Sequence, residues 1–195
     1  MNKTQLVIAT VAEKGGGKGF FTEIVKKALP QYRVASLRLS DTFRDILSLL
    51  AKDQSRENIS TLATILREGF EDNGILIPAM EKRIKETDAD IIILDGLRKP
   101  EEIEPLVRKF NGVVVYIEAD QKTRFERRRE QAETTDEKGM SWEQFVRQDK
   151  MAAEIAIRAM GETVADVTME NNGSREEFTK KVENFLAAHI KSKLA

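Results

Sequence analysis

An apolar, β-branched run, Leu6 to Val11, passes directly into a glycine-rich loop that opens a helical pattern, and no other feature constrains the fold as much. A run this short without polar alternation suits a strand buried on both faces. From Lys18 to Leu29 the apolar residues Phe21, Ile24, Val25 and Ala28 share one helical face, and Pro30 ends the pattern. Between strand and helix lies Ala12-Glu13-Lys14-Gly15-Gly16-Gly17-Lys18-Gly19. Glycines let successive backbone N–H groups turn toward one anion, and the helix N-terminus adds the positive end of its dipole. Lys18, at the head of that helix, can then reach β- and γ-phosphates. A dinucleotide-binding fingerprint is the rival reading, but Gly15, Gly17 and Gly19 lack G-x-G-x-x-G spacing. A flexible loop beside a solvated lysine is the bland one.

The same strand and helix signals recur down the chain. A strand is expected over Arg33 to Leu37, with Ser40 capping a helix to about Leu50, and two helices are expected over Arg56 to Thr87, divided near Asp72-Asn73-Gly74. Ile91 to Leu94 and Val113 to Ile117 read as strands on either side of a helix from Glu101 to Phe110. A helix from Lys122 to about Glu130 precedes the polar stretch Gln131 to Gly139, and Ser141 with Gln144 has capping-box spacing at the head of a long helix. Val164 to Met169 reads as the last strand, before a helix from Ser174. Strands separated by helices predict an α/β fold: a five-stranded parallel sheet with helices on both faces, in three layers, with ligand groups gathered at the strands' carboxyl ends.

The 195 residues fit one domain spanning residues 1–195. Lys+Arg 32 against Asp+Glu 33 leaves a net charge of -1, so nucleic acid is not an expected partner. Cysteine is absent, which excludes disulfides, thiolate metal sites and a cysteine nucleophile. No apolar stretch reaches the roughly 20 residues of a membrane span, so no membrane partner and a cytoplasmic location are expected. Monomer and homodimer both stay open.

With Gly19 after Lys18, the loop resembles that of the adenylate kinase and nucleoside monophosphate kinase group. It departs from G-x-x-x-x-G-K-[ST] at Ala12 and Gly19, and Phe20 stands where the group usually has Thr. Leu39-Ser40-Asp41-Thr42-Phe43-Arg44 resembles the group's acceptor-site motif, and Ile93-Leu94-Asp95-Gly96-Leu97-Arg98 resembles its Walker B strand with an acceptor-side arginine. Arg124, Arg127, Arg128 and Arg129 resemble the head of the kinase lid, and Asn171-Asn172-Gly173-Ser174 resembles the adenine-side loop of dephospho-coenzyme A kinase-like proteins. The similarity covers nearly the whole chain. It is closest to predicted archaeal-type nucleotide kinases related to dephospho-coenzyme A kinase.

This resemblance implies a three-layer P-loop fold with a helical acceptor-side insertion over about 40–88 and a lid over about 124–141. It implies ATP and Mg2+ as cofactors and a small nucleotide-like acceptor: a nucleoside or deoxynucleoside monophosphate, or dephospho-coenzyme A. Lys14, Gly15, Gly16, Gly17, Lys18, Gly19 and Phe20 would hold the phosphates, with Asn171 and Gly173 beside the base. Asp95 would reach Mg2+ through water. Asp41, Arg44, Arg56, Arg67 and Arg98 would contact the acceptor, while Lys18, Asp41, Arg124 and Arg128 would be the catalytic group. A nucleotide-binding regulator or slow ATPase is the alternative, motivated by the hydroxyl that Gly19 removes. His189, alone among histidines, and Trp142 are read as packing or surface residues.

Overall fold

The computed structural model describes residues 5–97, 99–130 and 140–194, leaving aside the side chains of Arg56, Ala152 and Ala153. Arg98 and the expected lid stretch Gln131 to Gly139 therefore lie outside the described residues, as does the side chain of Arg56.

The strands are β1 (Leu6–Val11), β2 (Val34–Arg38), β3 (Ile91–Asp95), β4 (Val113–Glu118) and β5 (Val167–Glu170). They form one parallel sheet in the order β2-β3-β1-β4-β5. Alternate residues of the central strands enter two separate cores, which is why their sequences read as unbroken apolar runs. Val7, Ala9, Ile92, Leu94 and Val114 face one core. Its helices are α2 (Asp41–Leu49), α3 (Arg56–Gly69), α4 (Ile77–Glu86), α5 (Ile103–Leu106) and, after α6 (Gln121–Glu130) and α7 (Trp142–Asp149), α8 (Ala152–Val164). Leu6, Ile8, Ile91, Ile93, Val113 and Val115 face the other core, covered by α1 (Lys18–Ala28) and α9 (Arg175–Phe185). After α9 the chain passes through a π turn (Leu186–Ile190) into α10 (Lys191–Leu194).

The central position of β1 fixes where a ligand can sit. From β1 the chain crosses to β2 and β3 on one side, while β4 and β5 add on the other. The connections therefore diverge at the carboxyl end of β1 and leave a crevice there.

Three expectations are corrected. The helix expected over Glu101 to Phe110 is broken into 3-10 turns at Pro100–Glu102 and Arg108–Phe110 around a single α turn. Pro105, which has no N–H to donate, stands inside that segment and stops a regular helix. The long helix after Ser141 is two helices, since Met151 is extended (φ -67°, ψ 145°), although the expected Ser141–Gln144 capping box is present. Val164 closes α8 rather than opening β5. Among the described residues no helix is long and apolar enough to cross a membrane.

Candidate phosphate-binding site

The loop after β1 is shaped by two glycines with left-handed backbone, Gly15 (φ 81°) and Gly17 (φ 109°). Space demands them as well. A Cβ on Gly15 would stand 2.5 Å from the Arg124 carbonyl oxygen, and one on Gly17 would stand 2.3 Å from Nδ2 of Asn171. Gly17 caps α1 without a side-chain bond, and the first turn of α1 holds no acidic residue. The leading N–H groups of α1 thus keep their positive end open to the crevice.

Lys18 Nζ donates to the Ala12 carbonyl at 3.0 Å and lies 3.8 Å from Oδ1 of Asp95. Asp95 ends β3 directly opposite Thr10 of β1, and its Oδ1 accepts the Gly96 N–H at 2.7 Å. The hydroxyl of Thr10, buried beside Asp95, has no hydrogen-bond partner. Lys18, Asp95 and the loop glycines line a cavity of about 380 Å³, with Arg127, Asn171 and Arg175 closing it.

Asn171 ties the last strand to the loop. It is 4% exposed, donates through Nδ2 to the Gly16 carbonyl at 2.9 Å, and accepts at Oδ1 from Nη2 of Arg127 at 3.2 Å. Nη1 of Arg127 is buried with no partner. Burial, followed by the neighbouring charge of Arg175, pushes the Arg127 pKa below its ordinary value. Cations crowded in this way favour an anion in the cavity. Gly173 does not line the cavity; it precedes the Ser174–Glu177 capping box that starts α9.

The arginine expectation changes most. Arg124 does not close over the cavity: it is 1% exposed and packs beneath the loop. Its Nη1 and Nη2 donate to Oδ1 and Oδ2 of Asp149 at 2.6 and 2.8 Å, and Nε donates to the Ala119 carbonyl at 3.0 Å. A guanidinium with a fork-on-fork carboxylate partner is committed. Burial opposes ionisation of Asp149, but the bonds from Arg124 and Gln121 outweigh it and hold the carboxyl below its ordinary pKa. Arg128 does not line the cavity. Among the described residues, Arg127 and Arg175 are the guanidiniums that line the loop's cavity.

Lys14 also turns away. Its Nζ lies 3.1 Å from Oε1 of Glu154 on α8. Glu13, 3% exposed, accepts from Tyr116 Oη at 3.0 Å and Arg158 Nε at 2.9 Å. Burial and the Glu13 charge raise the Tyr116 pKa and keep the phenol neutral. Three carboxylates (Glu13, Asp149, Glu154) thus face three cations (Lys14, Arg124, Arg158) under the loop. Their charges cancel, which leaves Lys18, Arg127 and Arg175 against Glu23 and Asp95 in the cavity wall, with the α1 terminus adding positive character. The signal for this network was present in the sequence: a glutamate inside a phosphate loop, Glu13, requires a buried cation to offset it.

On the expected acceptor side, Leu39 N–H donates to the Asp95 carbonyl at 3.0 Å, bringing the start of α2 beside the end of β3. Ser40 does not cap α2 through its side chain; Asp41 Oδ2 accepts the Arg38 N–H at 2.9 Å instead. Arg44 Nη1 donates to the Gln54 carbonyl at 3.5 Å. Two buried polar atoms here, Oγ1 of Thr42 and Nε of Arg67, have no partner. These residues do not share the loop's cavity. Among the described residues no group of three or more His, Cys, Asp or Glu could hold a metal ion.

No family model matches the chain. It is 26% identical to the UPF0200 protein of Thermococcus kodakarensis over 97% of this chain and 100% of that protein. It is 27% identical to the UPF0200 protein of Methanocaldococcus jannaschii, over 93% and 89% of the two chains. Among solved structures, shikimate kinase from Bacteroides thetaiotaomicron aligns with a TM-score of 0.58 at 15% identity, covering 93% of this chain and 98% of that one. The shikimate complex of shikimate kinase from Acinetobacter baumannii gives 0.53 at 18% identity, with 97% of both chains covered. The chain therefore shares its fold with these shikimate kinases and is similar, over nearly its whole length, to the UPF0200 proteins.

Proposed function

We propose that this chain is an ATP-dependent kinase that transfers a phosphoryl group to a small nucleotide-like acceptor. The observation that carries the reading is the loop itself: the N-terminus of α1, Lys18 and Arg127 line one cavity at the sheet's switch point. Phosphoryl transfer requires little covalent help from protein, so positioned positive charge is the main demand on such a site. Lys18 and Arg127 meet it, and Arg175 adds to it.

The donor set also fits Mg2+ held largely by phosphate and water. Asp95 is one carboxylate at the cavity wall, and such an ion is commonly bound through one or two carboxylates plus substrate oxygens. When bound, the ion would neutralise phosphate charge during transfer. Asp95 would orient a water on it, without the hydroxyl that Gly19 lacks.

Asp41, Arg44 and Arg67 stand as the acceptor group, supported by the unpartnered Nε of Arg67 and by the approach of the α2 start to Asp95. One Asp41 oxygen already accepts a backbone N–H, which favours an organising role. That in turn favours a nucleoside monophosphate over dephospho-coenzyme A, since a phosphate acceptor needs no general base near neutral pH. A regulator or slow ATPase is the second reading, favoured by the absence of a hydroxyl at Gly19.

The test is an acceptor screen with ATP and GTP across nucleoside monophosphates, deoxynucleoside monophosphates and dephospho-coenzyme A, scored by ADP or GDP release. Acceptor-stimulated release that falls roughly 100-fold or more in Lys18→Ala supports the kinase. Nucleotide binding without stimulation by any acceptor supports the regulator.

A further inference from the structure

Phe20 puts an aromatic ring in the wall of an otherwise polar phosphate cavity. It stands in the first turn of α1, two residues after Lys18, with Phe178 stacked against it at 6.1 Å between centroids. Over it lies the guanidinium of Arg175, 4.4 Å from the ring centroid. Arg175 is the exposed first residue of α9, where the helix dipole disfavours a cation but Glu176 and Glu177 stand in the same turn. Its charge also weighs on Arg127 across the cavity. An exposed guanidinium is thus held on a π face beside the proposed phosphate site.

The space does not end at this stack. Phe20, Glu23 and Arg175 also border a groove of about 470 Å³ between α1 and α9, floored by Ile24 and flanked by Thr179. A ligand anchored by its phosphates at the loop, and long enough to pass Lys18, meets the Phe20 ring next. What fits there is a flat π system joined to a phosphate chain.

We infer that Phe20 and Arg175 form a clamp for the nucleoside base of the phosphate donor, with the Phe20 ring as its floor and the Arg175 guanidinium as its cover. At 4.4 Å the two groups touch, so Arg175 must lift from the ring to admit a base. The rotation is inexpensive, because Arg175 is exposed and side chains of exposed residues change rotamer within nanoseconds. Base stacking on an aromatic ring and a guanidinium tolerates different bases, so the clamp selects a nucleotide over a bare polyphosphate rather than one base over another. The inference rests on the nucleotide-dependent reading above and adds the residues that recognise the donor's base.

The experiment is calorimetric titration of the full chain with Mg2+-ATP and, separately, with Mg2+-tripolyphosphate, without acceptor. Phe20→Leu keeps apolar bulk against Phe178 and removes the π face, whereas Phe20→Tyr keeps the face. We expect Phe20→Leu to weaken ATP roughly 10-fold and tripolyphosphate less than about 2-fold, with Phe20→Tyr close to wild type for both. An unchanged ATP affinity in Phe20→Leu, or an equal loss for both ligands, overturns the clamp while leaving the phosphate site standing. Failure of the wild-type chain to bind either ligand overturns the clamp and the nucleotide-dependent reading together.

Discussion

Replacing Arg124 by Met separates two roles that the sequence alone does not distinguish. If Arg124 acted on a transferring phosphoryl group, its loss would lower turnover and leave stability nearly untouched. The structure demands the reverse. The guanidinium makes two short bonds to Asp149, one to the Ala119 carbonyl, and stands 3.8 Å from Glu13. Removing it leaves the Asp149 and Glu13 carboxylates in the interior short of a cation, although Arg158 remains beside both. Breaking a buried pair from one side costs about 3–5 kcal/mol. For a domain of this size each kcal/mol lowers Tm by about 2–4 °C, so Arg124→Met should melt about 6–20 °C below wild type. Urea denaturation supplies the free energy, and the double variant Arg124→Met with Asp149→Leu should recover part of it, because both charges are then gone. The acid limb offers an independent readout. Asp149 has a folded pKa below its unfolded one, so its contribution is complete above the ordinary aspartate range and is lost as pH falls through the depressed value. Wild type should lose that stability on acidification, and Arg124→Met should show a flatter acid limb. An unchanged urea midpoint together with a large loss of turnover would refute this reasoning and return Arg124 to the phosphate.

Gly17→Ala should destabilise the chain by about 2 kcal/mol or more and abolish triphosphate binding, because φ 109° is strained for alanine and the added Cβ meets Asn171; urea unfolding and calorimetry check both. Thr10→Val should raise stability by about 1 kcal/mol, since the hydroxyl it removes is buried without a partner. A clear destabilisation in the urea midpoint would mean that the hydroxyl has a partner. For a monophosphate acceptor, Arg44→Ala should raise acceptor KM roughly 10-fold or more with kcat largely kept. For dephospho-coenzyme A, Asp41→Asn should instead lower kcat by roughly 100-fold, and steady-state kinetics with both acceptors distinguishes the two.

The strands and the glycine-rich loop were legible because their signals are local. Leu6 to Val11 is buried throughout, and the glycines that the loop geometry requires, Gly15 and Gly17, stand in the sequence where the loop turns. Elements failed where one residue outweighed the pattern, as Pro105 does within the expected helix from Glu101 to Phe110. The arginines were harder for a different reason. Helical spacing puts Arg124 and Arg128 near one another, yet periodicity in a helix this charged does not say which face turns inward. That depends on Asp149, 25 residues away on another helix. Arg127 and Arg175 meet only after α6 and α9 have been placed by β4 and β5. Neither element carries a local sign of the other.

The bond from Asn171 to the Gly16 carbonyl spans 155 residues of sequence, and this has a consequence for the newborn chain. Synthesis at about 5–20 residues per second leaves roughly 8–30 seconds between translation of the loop and translation of its latch. Throughout that interval the glycines have no Asn171 to rest against, and β4 has no β5 to cover its outer edge. A chain stalled before β5 should therefore present an exposed strand edge and a slack loop, a substrate for chaperones and proteases rather than a nucleotide binder. Completion of the site is in this sense a C-terminal event, although every glycine of the loop is encoded at the beginning.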